Sequence, residues 1–99
     1  MTTIVLLDIP ATDTTRDAVL QCLQEALSTT RTFAGCEGLE LLVNQDDGAN
    51  ILVYERWASR EHYNAYRAFR AETGFSASFR AMFPNPPTVR VFDIDRSYP

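Results

Sequence analysis

The chain has no lysine. All nine of its basic residues are arginines, set against thirteen aspartates and glutamates, which leaves a formal charge of -4 over 99 residues. Without a basic surplus it lacks the positive footprint that neutralising a phosphate backbone demands, so nucleic acid is excluded as an expected partner. No apolar run approaches the roughly 18 residues that a membrane-crossing helix needs, so a membrane partner is excluded in the same way. Four glycines and five prolines are too few for collagen-like or low-complexity classes. Two cysteines, Cys22 in a helical pattern and Cys36 in the turn-like Gly35-Cys36-Glu37-Gly38, form neither a disulfide framework nor a metal-ligand spacing, and both read as plain thiols. There is no glycine-rich phosphate loop, HExxH or GxSxG elbow, which removes nucleotide, zinc and serine-hydrolase chemistries. Met1 is followed by Thr2, Thr3 and a strand-like run with no basic n-region, so no targeting segment is expected and a cytoplasmic location is the default reading.

What is present is an ordinary globular composition, 45% hydrophobic and 22% charged, in a length that suits one domain over residues 1–99. Thr3 to Ile9 is a β-branched, apolar run stopped by Pro10, a first strand. Thr14 stands three residues ahead of Asp17 as an N-cap signal, and Val19, Leu23, Ala26, Leu27 and Thr30 recur at helical period, predicting a helix from about Thr15 to Thr32. Gly38–Asn44 and Ile51–Trp57 read as two strands whose connection carries an Asp-Gly hairpin signal. Ser59 caps a second helix with Tyr63, Tyr66 and Phe69 on one stripe, a short helical annex carries Phe75, Phe79, Met82 and Phe83, and Val89–Ile94 closes the chain as a strand. The order predicts an α+β fold of the ferredoxin-like, split βαβ kind, with a four-stranded antiparallel sheet. The first strand is apolar on both faces, Ile4 and Leu6 against Val5, Leu7 and Ile9, and Leu52 and Tyr54 repeat this on the third. Two helices cover one face only, so a second copy of the sheet is expected over the other, in a homodimer.

The stretch Val53-Tyr54-Glu55-Arg56-Trp57-Ala58-Ser59-Arg60-Glu61-His62-Tyr63 resembles the antibiotic biosynthesis monooxygenase family. That family shows a strand ending in Glu-x-Trp, then a Ser-x-Glu helix start with an aromatic two residues later. The order of elements agrees with the family from about Ile4 to Ile94. The resemblance implies a dimeric ferredoxin-like α+β barrel with a pocket between sheet and helices in each subunit. Members of that family include cofactor-free oxygenases of polycyclic phenols, quinol monooxygenases and haem-degrading enzymes. Against the cofactor-free oxygenases of aromatic polyketide pathways, Trp57, Tyr63 and Arg80 fall where a pocket tryptophan, tyrosine and arginine lie. Their asparagine four residues before the tryptophan and their tyrosine on the previous strand become Val53 and Leu42. The haem-degrading branch carries an asparagine on its first strand and an iron-ligating histidine on a later helix. This chain has no such asparagine, and the matching helix reads Phe79-Arg80-Ala81-Met82-Phe83. Many simpler members carry histidine where this chain has Tyr66.

The resemblance therefore implies a small monooxygenase without metal, flavin or haem, acting on a quinol or polycyclic phenol with O2. Trp57, Tyr63 and Arg80 are its candidate catalytic residues, and Tyr66, Glu55, Val53, Leu42, Phe79 and Phe83 its candidate substrate-binding ones. A non-catalytic dimeric binding module of the same fold is the alternative, favoured by the apolar Val53 and Leu42. Each residue also has a plainer reading. Trp57 can be a core filler, and Tyr63 and Tyr66 a packed helix face. His62 reads as a solvated side chain, and Arg67 and Arg70 as surface partners of Glu61 and Glu72. Glu55 shares a face with Ile51, Val53 and Trp57, where a carboxylate needs a partner or a raised pKa. A buried pair with Arg80 is the expected solution.

Overall fold

The computed structural model describes residues 2–99. The predicted elements form in order: β1 (Thr3–Pro10), α1 (Arg16–Thr32), β2 (Cys36–Val43), β3 (Asn50–Trp57), α2 (Arg60–Glu72), α3 (Phe75–Arg80) and β4 (Thr88–Asp93). They build one antiparallel sheet ordered β2-β3-β1-β4. The β1-to-β2 connection through α1 thus steps over β3, which is the split βαβ arrangement.

Two local readings are corrected. The start of α1 is not capped by Thr14: the capping position is Thr15, whose hydroxyl does not bond into the helix. Instead Thr12 N donates to Thr15 Oγ1 at 2.9 Å while Thr15 N donates to Thr12 Oγ1 at 3.2 Å, the reciprocal exchange of a capping box set ahead of the helix. Cys36 is not in a turn but opens β2 opposite Trp57, with the register slipping by a bulge between Cys36 and Gly38. The hairpin that the Asp-Gly signal predicts does form, through a wide loop closed where Asn44 N donates to Asn50 O at 3.0 Å.

Strand parity decides where the core sits. Thr3, Val5 and Ile9 of β1 and Ile51, Val53, Glu55 and Trp57 of β3 are buried beneath the helices. Val19 and Leu23 of α1 meet Ile9, Ile51 and Val53 in one apolar cluster, which Phe79 and Phe83 extend. Val5, Trp57 and Tyr63 make a second cluster with Phe33 and Tyr66 against it. Burying each such side chain contributes on the order of 1.5–3 kcal/mol. The opposite face carries Ile4, Leu6, Leu52 and Tyr54, with Leu42 and Phe92 exposed. No helix among the described residues is long and apolar enough to cross a membrane.

Gly35 joins α1 to β2 beside the start of α2. Its φ of +89° favours glycine, its carbonyl accepts from Ala58 N at 2.8 Å, and a Cβ there would overlap the His62 ring. Gly35→Ala should therefore cost about 1–2 kcal/mol for the left-handed backbone plus a steric cost. In urea melts, adding His62→Ala should recover only the part of the steric cost that the ring causes, because the His62 Cβ also lies against that position and remains. A Gly35→Ala variant as stable as wild type would contradict the reading.

Candidate functional site

The alternation of β3 turns Glu55 into the same layer as Val53 and Trp57, leaving it 4% exposed. Its partner is not Arg80. Trp57 Nε1 donates to Glu55 Oε1 at 2.8 Å, and no ion pair involves Glu55 among the described residues. The physical reason is spacing along one strand: residues two apart share a face, so the indole N–H is already beside the carboxylate, while Arg80 ends α3 as an exposed side chain. Burial pushes the Glu55 pKa up from its ordinary value, and the indole hydrogen bond offsets part of that shift.

Tyr63 comes from the first turns of α2, whose start is fixed by Ser59 Oγ accepting from His62 N. Its ring lies 5.9 Å from that of Trp57. Burial pushes its hydroxyl up to about 12, with the Glu55 and Tyr66 charges adding to the rise and the Arg67 and Arg60 guanidiniums opposing it. Tyr66 packs at 5.0 Å from the Trp57 ring, and its hydroxyl meets Thr30 Oγ1 of α1 at 2.7 Å.

A cavity of about 420 Å³ opens between sheet and helices with Glu55 and Tyr63 in its wall. Leu7 and Val89 line it from the sheet, Leu23, Ala26 and Leu27 from α1, and Phe75, Ser76 and Phe79 from α3. Among the sequence-derived candidates, Glu55, Tyr63, Tyr66, Phe79 and Arg80 are brought together here. Trp57 and Val53 are not exposed at all and stand behind the wall, so Trp57 is a holder of Glu55 rather than a stacking platform. Phe83 packs into the apolar cluster behind Phe79, at 5.1 Å between ring centroids. Leu42 lies on the other side of the sheet, because it pairs with Leu52 while its neighbour Leu41 pairs with the inward Val53. Val53 and Leu42 therefore do not contribute to the cavity wall.

Two arginines expected as surface partners of acidic residues stand in the cavity wall instead. Arg67 and Arg70 do not pair with Glu61 and Glu72; both line the cavity. Arg70 donates from Nε to Tyr66 Oη at 2.9 Å and from Nη2 to Ala26 O at 2.8 Å and Thr30 Oγ1 at 3.1 Å, and it lies over the Phe75 ring at 4.4 Å. The signal was present: Tyr66 and Arg70 are four apart on the stripe that faces α1. His62 is exposed and held through Nδ1 to Ser59 Oγ at 2.7 Å, as a surface residue. Among the described residues, no group of three or more His, Cys, Asp or Glu is placed to hold a metal.

A family model, antibiotic biosynthesis monooxygenase, matches residues 3–81. The chain belongs to that family. Its fold is that of Rv0793 from Mycobacterium tuberculosis, with a TM-score of 0.84 at 21% identity over 99% of this chain and all of the other. It is also similar to a structure from Deinococcus radiodurans, TM-score 0.87 at 13% identity over 98% and 96% of the two chains. The monooxygenase from the ActVA-Orf6 gene of Streptomyces coelicolor, solved with the ligand nanaomycin D, gives 0.81 at 13% identity over 97% and 89%. Among curated proteins, no sequence match reaches significance. At these identities the structures establish the ferredoxin-like fold, while the family rests on the sequence match.

The buried Glu55 predicts a signed pH dependence. Its folded-state pKa is raised above 4.5, so the folded chain holds the proton more tightly than the unfolded one. The stability this contributes is complete below about pH 4.5 and is lost as pH rises through the folded value. Relative to wild type, Glu55→Gln should therefore gain in unfolding free energy from about pH 4.5 upward and then level off. Urea melts across that range check it, and a pH-independent difference would contradict it.

Proposed function

We propose that the chain is a small cofactor-independent monooxygenase acting on a quinol or polycyclic phenol bound between sheet and helices. The observation that carries the reading is the Glu55 carboxyl, desolvated in the cavity wall, oriented by the Trp57 indole and neutralised by no cation among the described residues. Such a group accepts a proton from a bound hydroxyl and holds it out of water. The substrate phenolate then gives an electron to O2, and the resulting pair joins through a new carbon–oxygen bond. Cleavage of the O–O bond leaves one oxygen on the ring as a carbonyl and releases the other as water, with the substrate supplying every electron. Tyr63, whose hydroxyl stays protonated up to about 12, serves as donor to the departing oxygen. Arg80, at the cavity rim, offsets the phenolate charge, and the apolar wall from Leu7, Leu27 and Phe79 limits water.

Oxygen uptake with a panel of quinols tests this. Wild type is expected to consume O2 with an acidic limb set by Glu55 and displaced upward from the ordinary carboxylate range, as its burial requires. Glu55→Gln should lose that limb and about 100-fold or more of the rate. A well-folded protein that binds the quinols without consuming O2 would favour the alternative, a non-catalytic binding module, for which the inert Val53 and Leu42 are the supporting residues.

Part of the same reading is a cytoplasmic homodimer in which two sheets face one another. Its support is the second sheet face, where Leu42 is 40% and Phe92 44% exposed beside Leu6, Leu52 and Tyr54. Light scattering at micromolar concentration should give twice the chain mass, and Leu52→Glu should halve it. A wild-type monomer would remove this part.

A further inference from the structure

The cavity wall contains three arginines, Arg67, Arg70 and Arg80, in a chain of formal charge -4. In so acidic a chain cations ordinarily find carboxylates, yet the ion pairs among the described residues are Arg16 with Asp17 and Arg56 with Glu40, both away from the cavity. The one acidic side chain in the wall is Glu55. The wall therefore stays net positive whether Glu55 is ionised or not.

Arg70 differs from the other two. Its Nε and Nη2 bonds go to a phenol, a carbonyl and a hydroxyl, all neutral, and its plane is covered by Phe75. These contacts fix the guanidinium in place without compensating its charge, and Nη1 takes no acceptor among the described residues. A cation already immobilised and half-buried binds an anion without a further loss of rotamer freedom, which makes it a preformed receptor. Arg67 and Arg80 are exposed at the rim, and their flexible stems let them close on the same ligand.

We infer that the cavity takes an aromatic acid in preference to a neutral quinol, with the carboxylate of the substrate held by Arg70 and screened by Arg67 and Arg80. The inference deepens the substrate reading above and rests on the cavity being the substrate pocket. The geometry orients the ligand: the charged end goes to the arginines of α2 and α3, and the ring lies along Leu7, Leu27 and Phe79. A ring hydroxyl then points to the sheet side, where Glu55 stands.

The test is anaerobic titration calorimetry on the full chain with 1,4-dihydroxy-2-naphthoate and with its methyl ester. The two probes share the ring and the hydroxyls and differ in the charge. The acid should bind about tenfold or more tightly, the order of magnitude expected for a charge-assisted guanidinium–carboxylate contact. That preference should shrink in Arg67→Gln with Arg80→Gln, which alters only exposed side chains, and fall to parity when Arg70→Gln is added. Circular dichroism checks the fold of each variant. Equal affinity for acid and ester, no binding of either, or a preference unmoved by the substitutions overturns the inference. Because no turnover is measured, a protein that fails to consume O2 can still pass this test, and an active one can fail it.

Discussion

The hydrogen bond from the Trp57 indole to the Glu55 carboxylate is the constraint around which the cavity is organised. An apolar layer ordinarily excludes a carboxyl group, and each polar atom stranded there costs on the order of 1–3 kcal/mol. Here one oxygen is satisfied by a neutral donor two residues away on the same strand. That arrangement keeps the group in the layer without cancelling its charge, as an arginine would. The packing of Tyr63, Tyr66 and Phe33 around the indole then fixes the donor itself. A proton-accepting site is thus built from core packing rather than from a polar network.

A second polar set, on the far side of the cavity, ties helix to helix. Thr30 in α1, Tyr66 and Arg70 in α2, and Phe75 in α3 form one connected group, so the position of the cationic wall depends on the same contacts that hold the helices together. Changes at Tyr66 or Thr30 therefore propagate to Arg70 without touching a ligand.

Much of this was legible from residue order. The period-two runs fixed strand faces, so the inward set of β3 and the two-sided character of β1 were correctly placed, and the Glu-x-Trp to Ser-x-Glu stretch pointed to the family. The partner of Glu55 was not legible, because parity states which side chains share a layer but not which polar atoms meet across it. Charge complementarity suggested Arg80, whereas proximity along one strand favoured Trp57. Leu42 was misplaced for a related reason. Aligning it with a pocket tyrosine ignored the β2–β3 register, which the bulge near Gly38 helps to set. The α1 contribution to the wall was also hidden, since Ala26 and Leu27 look like any other apolar stripe until the second helix is laid against them.

Trp57 is the only tryptophan in the chain, and its one polar atom is bonded to the one acid in the cavity wall. Indole emission depends on the field and hydrogen bonding at that nitrogen, so the protein carries a built-in optical reporter. Ionisation of Glu55, or a ligand that draws the carboxylate away, changes the colour and yield of its fluorescence without any label being added.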